Sequence, residues 1–106
     1  MDVLIDRFDG DAEMLGQVGE AFLQAYPSQL SAVRDAVERR DAGAVARTSH
    51  ILKGSVGIFG TDGAYETARR LESFGRATDL SRAEQAYADL ERQVTELGQL
   101  LAKLPS

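Results

Sequence analysis

Along the chain, apolar residues return every three or four positions, the period of a helix face rather than of a strand. Val3, Leu4, Ile5 and Phe8 form an apolar lead-in. Leu15, Val18, Phe22 and Tyr26 then share one helical face, with Asp11 placed to cap it. Pro27 is expected to end this helix and to open the next at its first turn. That next helix turns Leu30, Val33 and Val37 inward and closes near Arg39 and Arg40, cations that suit a helix C-terminus. Asp41 is a cap candidate for a third stretch that ends near Gly60. Thr61 or Asp62 can start another, with Ala64, Ala68, Leu71 and Phe74 inward and a stop at Gly75. Ser81 and Glu84 have the spacing of a capping box. After them comes the most regular run: Ala83, Tyr87, Leu90, Val94, Leu97, Leu101 and Leu104. Its spacing alternates between four and three, as in a bundle or coiled-coil seam. No stretch alternates with period two over strand length. Short connections make successive helices antiparallel neighbours. The pattern therefore predicts an all-α fold, an antiparallel up-and-down four-helix bundle with a short N-terminal lead-in helix, and residues 1–106 forming one domain.

Composition narrows the functional classes. The chain has 106 residues, no cysteine and one histidine. A disulfide framework, a thiolate metal site and a multi-histidine metal site are thereby excluded within one chain. No apolar run approaches the roughly 20 residues that span a bilayer, so no membrane insertion is expected. Asp2 follows Met1 with no basic stretch, so no signal peptide is expected. The formal net charge of −5 disfavours nucleic acid, whose binding needs a basic face. A cytoplasmic protein that partners other proteins fits these features.

The single histidine, His50, lies in "SHILKGSVGIFG", Ser49 to Gly60, together with three of the ten glycines. Glycine inside a helix costs about 0.5–1 kcal/mol relative to alanine. At 100° per residue, Val45, Leu52, Val56 and Phe59 fall roughly opposite His50 and form the core side. Ala46, Arg47, Lys53, Gly54 and Gly57 fall within about 60° of it. The imidazole is thus expected to point to solvent, with Gly54 and Gly57 leaving room for an approaching molecule. The nearby positions supply cations rather than metal-ligating carboxylates. No serine-elbow pattern supports a triad, and a bare face does not suit a general base. Attack by the imidazole on an anionic electrophile, with Lys53 neutralising a phosphoryl group, fits these residues. An ordinary surface histidine fits them too, and spacing alone does not separate the two.

The segment also resembles the signature H-x-x-K-G-S-x-x-x-x-G of histidine-containing phosphotransfer (HPt) domains, matched at His50, Lys53, Gly54, Ser55 and Gly60. "DRFDGDAEML", "AYPSQL" and "ARRLESFGR" resemble further stretches of that family, so the likeness covers nearly the whole chain. The resemblance implies a helical bundle in which His50 accepts phosphate through Nε2, Lys53 assists the phosphoryl group and Gly54 gives access. It also implies that Glu72 hydrogen-bonds the imidazole, although a plain surface glutamate paired with Arg69 or Arg76 is the alternative. Ser49 and Ile58 depart from the family's usual small and polar residues at those places. Ile51 and Ile58 flank the histidine face, either as an apolar docking rim or as packing against a neighbouring helix.

By this resemblance the chain is a phosphorelay intermediate rather than an enzyme. It would take phosphate from a receiver domain's aspartyl phosphate and pass it to another receiver, downstream of a histidine kinase, in the cytoplasm, either by itself or as one domain of a membrane-anchored hybrid sensor kinase. The chain has no P-loop, no kinase motif and no carboxylate cluster, so no cofactor is expected in it, and Mg²⁺ is expected in the partner receiver. Three alternatives stay open: the N-terminal phosphotransfer domain of a chemotaxis-type kinase, a helical interaction module without chemistry, and a dimer paired through the last helix. A monomer is the expectation, since a bundle helix also needs one apolar seam.

Overall fold

The computed structural model describes residues 12–60 and 63–103. Four helices follow one another: α1 (Ala12–Glu38), α2 (Ala42–Gly57), α3 (Ala64–Arg76) and α4 (Ala83–Ala102). Each packs on two neighbours, α1 on α2 and α4, and α3 on α2 and α4, which closes an up-and-down bundle about 41 Å long. No strand occurs among the described residues. The lead-in residues, Asp11 as a cap, Thr61, Asp62 and Leu104 lie outside the described residues.

Pro27 does not divide the first 27-residue helix. Its missing N–H and its ring should cost about 3 kcal/mol in a helix interior. Packing outweighs that. Leu15, Phe22, Leu30, Val33 and Val37 are buried, and Val18 and Tyr26 pack against them, so the apolar spacing runs through Pro27 without a change of phase. Pro27 itself is exposed, and its missing N–H leaves the Leu23 carbonyl without its intrahelical donor.

Asp41 caps α2 as expected: its carboxylate accepts from the Ala44 N–H at 3.0 Å. The capping box expected at Ser81 and Glu84 does not form. The residue before α4 is Arg82, with no side-chain cap, and Ser81 bonds Asp79 instead. The Asp79 carboxylate accepts from both the N–H and the hydroxyl of Ser81, a local turn that competes with capping.

Leu52, Leu71, Leu90, Val33, Val45 and Val94 are fully buried at the centre. Of the α4 seam, Ala83, Leu90, Val94 and Leu101 are covered by the other helices together with Ala86, while Tyr87 and Leu97 are partly covered. Phe59, just past α2, meets Phe22 edge-on at 5.4 Å and ties the end of the histidine helix to α1. Gly75 brings α3 against α2: a Cβ there would lie 2.6 Å from the Ala42 carbonyl oxygen and the Ala46 nitrogen.

Candidate functional site

The face that carries His50 is fixed from behind. Val45, Leu52 and Val56 bury the opposite side of α2, and Ser49 packs beside them. The His50 side chain is left 62% exposed. Its Nδ1 lies 3.0 Å from Oε2 of Glu72, which comes from α3. A carboxylate only accepts, so Nδ1 carries the proton and the lone pair of the neutral ring is on Nε2.

Glu72 is not the surface glutamate of the alternative reading. Its side chain is 5% exposed, and three donors converge on it. His50 and Arg76 share Oε2, at 3.0 and 2.6 Å, while the Lys53 ammonium sits on Oε1 at 2.7 Å. Burial alone would raise the Glu72 carboxyl. Hydrogen bonds from Lys53 and His50 and the charges of Lys53 and Arg76 outweigh it and hold the group below its ordinary value. Arg69 takes no part and pairs with Glu66.

Lys53 therefore stands differently from the sequence expectation. It is largely covered and tied to Glu72 instead of standing free beside the ring. A helical wheel contains only one helix, so it could not show a carboxylate arriving from the next. Arg76 is a partner that the alternative reading offered, and the pair does form, but on a buried carboxylate. The only sequence signal of Arg76 is the i,i+4 spacing from Glu72.

The face is not bare. An open groove of about 420 Å³ runs between α2 and α3, lined by Ala46, Arg47, His50, Ile51, Glu72 and Arg76. Two guanidinium groups thus flank the imidazole in a chain of net charge −5. Ile51 is 56% exposed and Ile58 47%, so both stand on the surface beside this face. A smaller groove lies on the other side of Ile51, against Ser28, Gln29 and Ala32 of α1.

The two glycines differ. A Cβ on Gly54 would meet nothing within 4 Å, so the space one turn from His50 is open. Gly57 does not face solvent as expected. It is the last residue of α2, and a Cβ there would be 3.2 Å from the Tyr65 ring of α3. Among the described residues no group of three histidine, cysteine or acidic side chains could hold a metal ion.

The Hpt domain family model matches residues 17–103, which includes every residue of this site. The chain belongs to the Hpt domain family. These are the histidine-containing phosphotransfer domains of two-component phosphorelays. This Hpt domain is similar to the phosphorelay intermediate protein rdeA of Dictyostelium discoideum, 23% identical over 101 residues. That match covers 95% of the chain but only 40% of the relative's length. Its fold is that of the crystal structure of histidine-containing phosphotransfer protein B (HptB) from Pseudomonas aeruginosa PAO1, with a TM-score of 0.84. The two are 22% identical, over 96% of this chain and 89% of that one. None of the helices described is long and apolar enough to cross a membrane.

Proposed function

We propose that His50 is the phosphoryl acceptor of a phosphorelay, receiving the group from the aspartyl phosphate of one receiver domain and giving it to another. The main support is the ring itself. It is the only imidazole in the chain, it is exposed, and its Nδ1–H is committed to a buried carboxylate, which leaves the Nε2 lone pair for attack. In the forward step Nε2 bonds phosphorus, the P–O bond to the receiver's aspartate breaks, and the aspartate leaves as a carboxylate. The phosphorylated ring keeps its Nδ1 proton and so becomes cationic. Glu72, already ionised and 3.0 Å away, stabilises that charge.

Lys53 and Arg76 are both held on Glu72, and in this reading they share the incoming phosphoryl charge. Open space at Gly54 supports the approach of a receiver surface, with Ala46, Arg47 and Ile51 lining the groove beside His50 and Ile58 exposed on the surface. In this reading the receiver brings the aspartate, Mg²⁺ and its own lysine. The chain turns over nothing by itself, works downstream of a histidine kinase, and acts in the cytoplasm. A monomer suffices, because most of the α4 seam is already covered within one chain.

Mixing the protein with a phosphorylated receiver, with no ATP present, tests this. Label should move to the protein in an acid-labile, alkali-stable form. His50→Gln should take none. Transfer that requires ATP and a kinase domain would favour the chemotaxis-type alternative, and label retained by His50→Gln would exclude His50 as the acceptor.

A further inference from the structure

The polar bridge between His50 and Glu72 spans two helices, so its length depends on how closely α2 and α3 approach. One turn away the two backbones lie in direct contact. A Cβ at Gly75 would stand 2.6 Å from Ala42 O and Ala46 N and 3.0 Å from Ala46 Cα, all of them backbone atoms. None of these can swing aside as a side-chain end could. Gly75 is three residues beyond Glu72 on α3, and Ala46 is four before His50 on α2. At 1.5 Å per residue the contact point lies about 5 Å along the bundle from the bridge, too near for the helices to part at one and stay together at the other.

We propose that Gly75 is a positioning residue for His50: by letting α2 and α3 meet backbone to backbone, it sets the gap across which Glu72 fixes the imidazole proton on Nδ1. Restoring ordinary contact around an added Cβ requires the helices to separate by roughly 1 Å. The 3.0 Å bond from Nδ1 to Glu72 would then exceed hydrogen-bond length. Lys53, with four rotatable bonds, can follow Glu72 across that distance. The imidazole, with two, cannot. The expected consequence is selective: the Lys53 pair survives and the tautomer lock fails. The inference rests on the phosphotransfer reading only for its kinetic consequence.

With a single histidine, the ring nitrogens give one pair of ¹⁵N resonances, so the tautomer can be read without ambiguity. In the wild type the neutral ring should carry its proton on Nδ1. Gly75→Ala should move a large part of the population to the Nε2–H form and slow transfer from a phosphorylated receiver about tenfold. Leu90→Ala, a cavity in α4, is the control for lost stability and should leave the ring resonances unchanged. Wild-type ring shifts in Gly75→Ala would overturn the proposal. If that variant does not fold, Glu72→Asp withdraws the carboxylate by one methylene with the helix contact intact. It should show the same tautomer change, and its absence would equally overturn the proposal. A tautomer change in Gly75→Ala, in a protein that accepts no phosphate from any receiver, would support the positioning role and count against the phosphotransfer reading alone.

Discussion

The two helix pairs on opposite sides of the bundle are built on different principles. Where α1 meets α4, an aromatic side chain covers a glycine: the Tyr26 ring of α1 lies about 3 Å from the place of a Cβ on Gly98, and Phe22 of the same helix stacks on Tyr26 at 5.2 Å. Where α2 meets α3, backbone touches backbone at Gly75, and one turn on a buried carboxylate gathers three cationic or N–H donors. An apolar seam tolerates small shifts, because dispersion and burial change gradually with distance. A hydrogen bond to a ring nitrogen does not, because it weakens steeply outside a narrow range. Stability can therefore reside in the first interface while the second holds a distance.

The largest expected effect tests the first half of that contrast. Leu90→Ala leaves a cavity in a fully buried position and should destabilise the fold by about 2–5 kcal/mol. Transfer per folded molecule should stay at the wild-type level. Denaturant unfolding and receiver-dependent transfer, measured on the same sample, would expose a failure if the rate fell in step with stability.

Glu72→Gln tests the second half, with a smaller loss of about 1–3 kcal/mol at neutral pH. The folded-state carboxyl lies below its ordinary value near 4.5. Its contribution is fully present above the unfolded-state pKa and is lost as pH falls through the lower folded-state one. The stability gap between wild type and variant should thus be widest at neutral pH and shrink below about pH 4. Unfolding curves at several pH values check this. A gap that does not change with pH would mean the carboxylate is not held by its three donors.

How much of this was legible depended on whether a feature lies within one helix. The Asp41 cap, the α4 seam at Ala83, Leu90, Val94 and Leu101, and the exposure of His50 follow from local spacing, and the structure bears them out. Pro27 misled because its cost is local while the burial of Phe22, Leu30 and Val33 that overrides it is tertiary. Ser81 misled because Asp79 competes for its hydroxyl. The state of Lys53 and the burial of Glu72 depend on how α2 and α3 face each other, which no single-helix pattern contains, whereas Glu72 and Arg76 are an i,i+4 pair within α3. The family signature pointed to Glu72, yet gave no sign that Lys53 would share it.

The smallest effect separates the two glycines that looked alike in sequence. Gly54 sits inside α2 with open space around it, so Gly54→Ala removes backbone freedom from the unfolded chain and adds no contact in the fold. It should stabilise by about 0.5–1 kcal/mol. Gly57 ends the same helix against Tyr65, and its added Cβ would sit 3.2 Å from two ring carbons, closer than ordinary contact. Tyr65 is partly exposed and can yield a few tenths of an ångström, but doing so disturbs the α2–α3 interface. Part of the same gain is therefore cancelled, and Gly57→Ala should raise stability less than Gly54→Ala or lower it. Thermal unfolding of both variants beside the wild type measures the difference. Equal gains would show that Tyr65 moves away at no cost and that the interface is looser near the end of α2 than at Gly75. A loss in Gly54→Ala would mean that the backbone around it is not regular helix, and that its openness beside His50 has another cause.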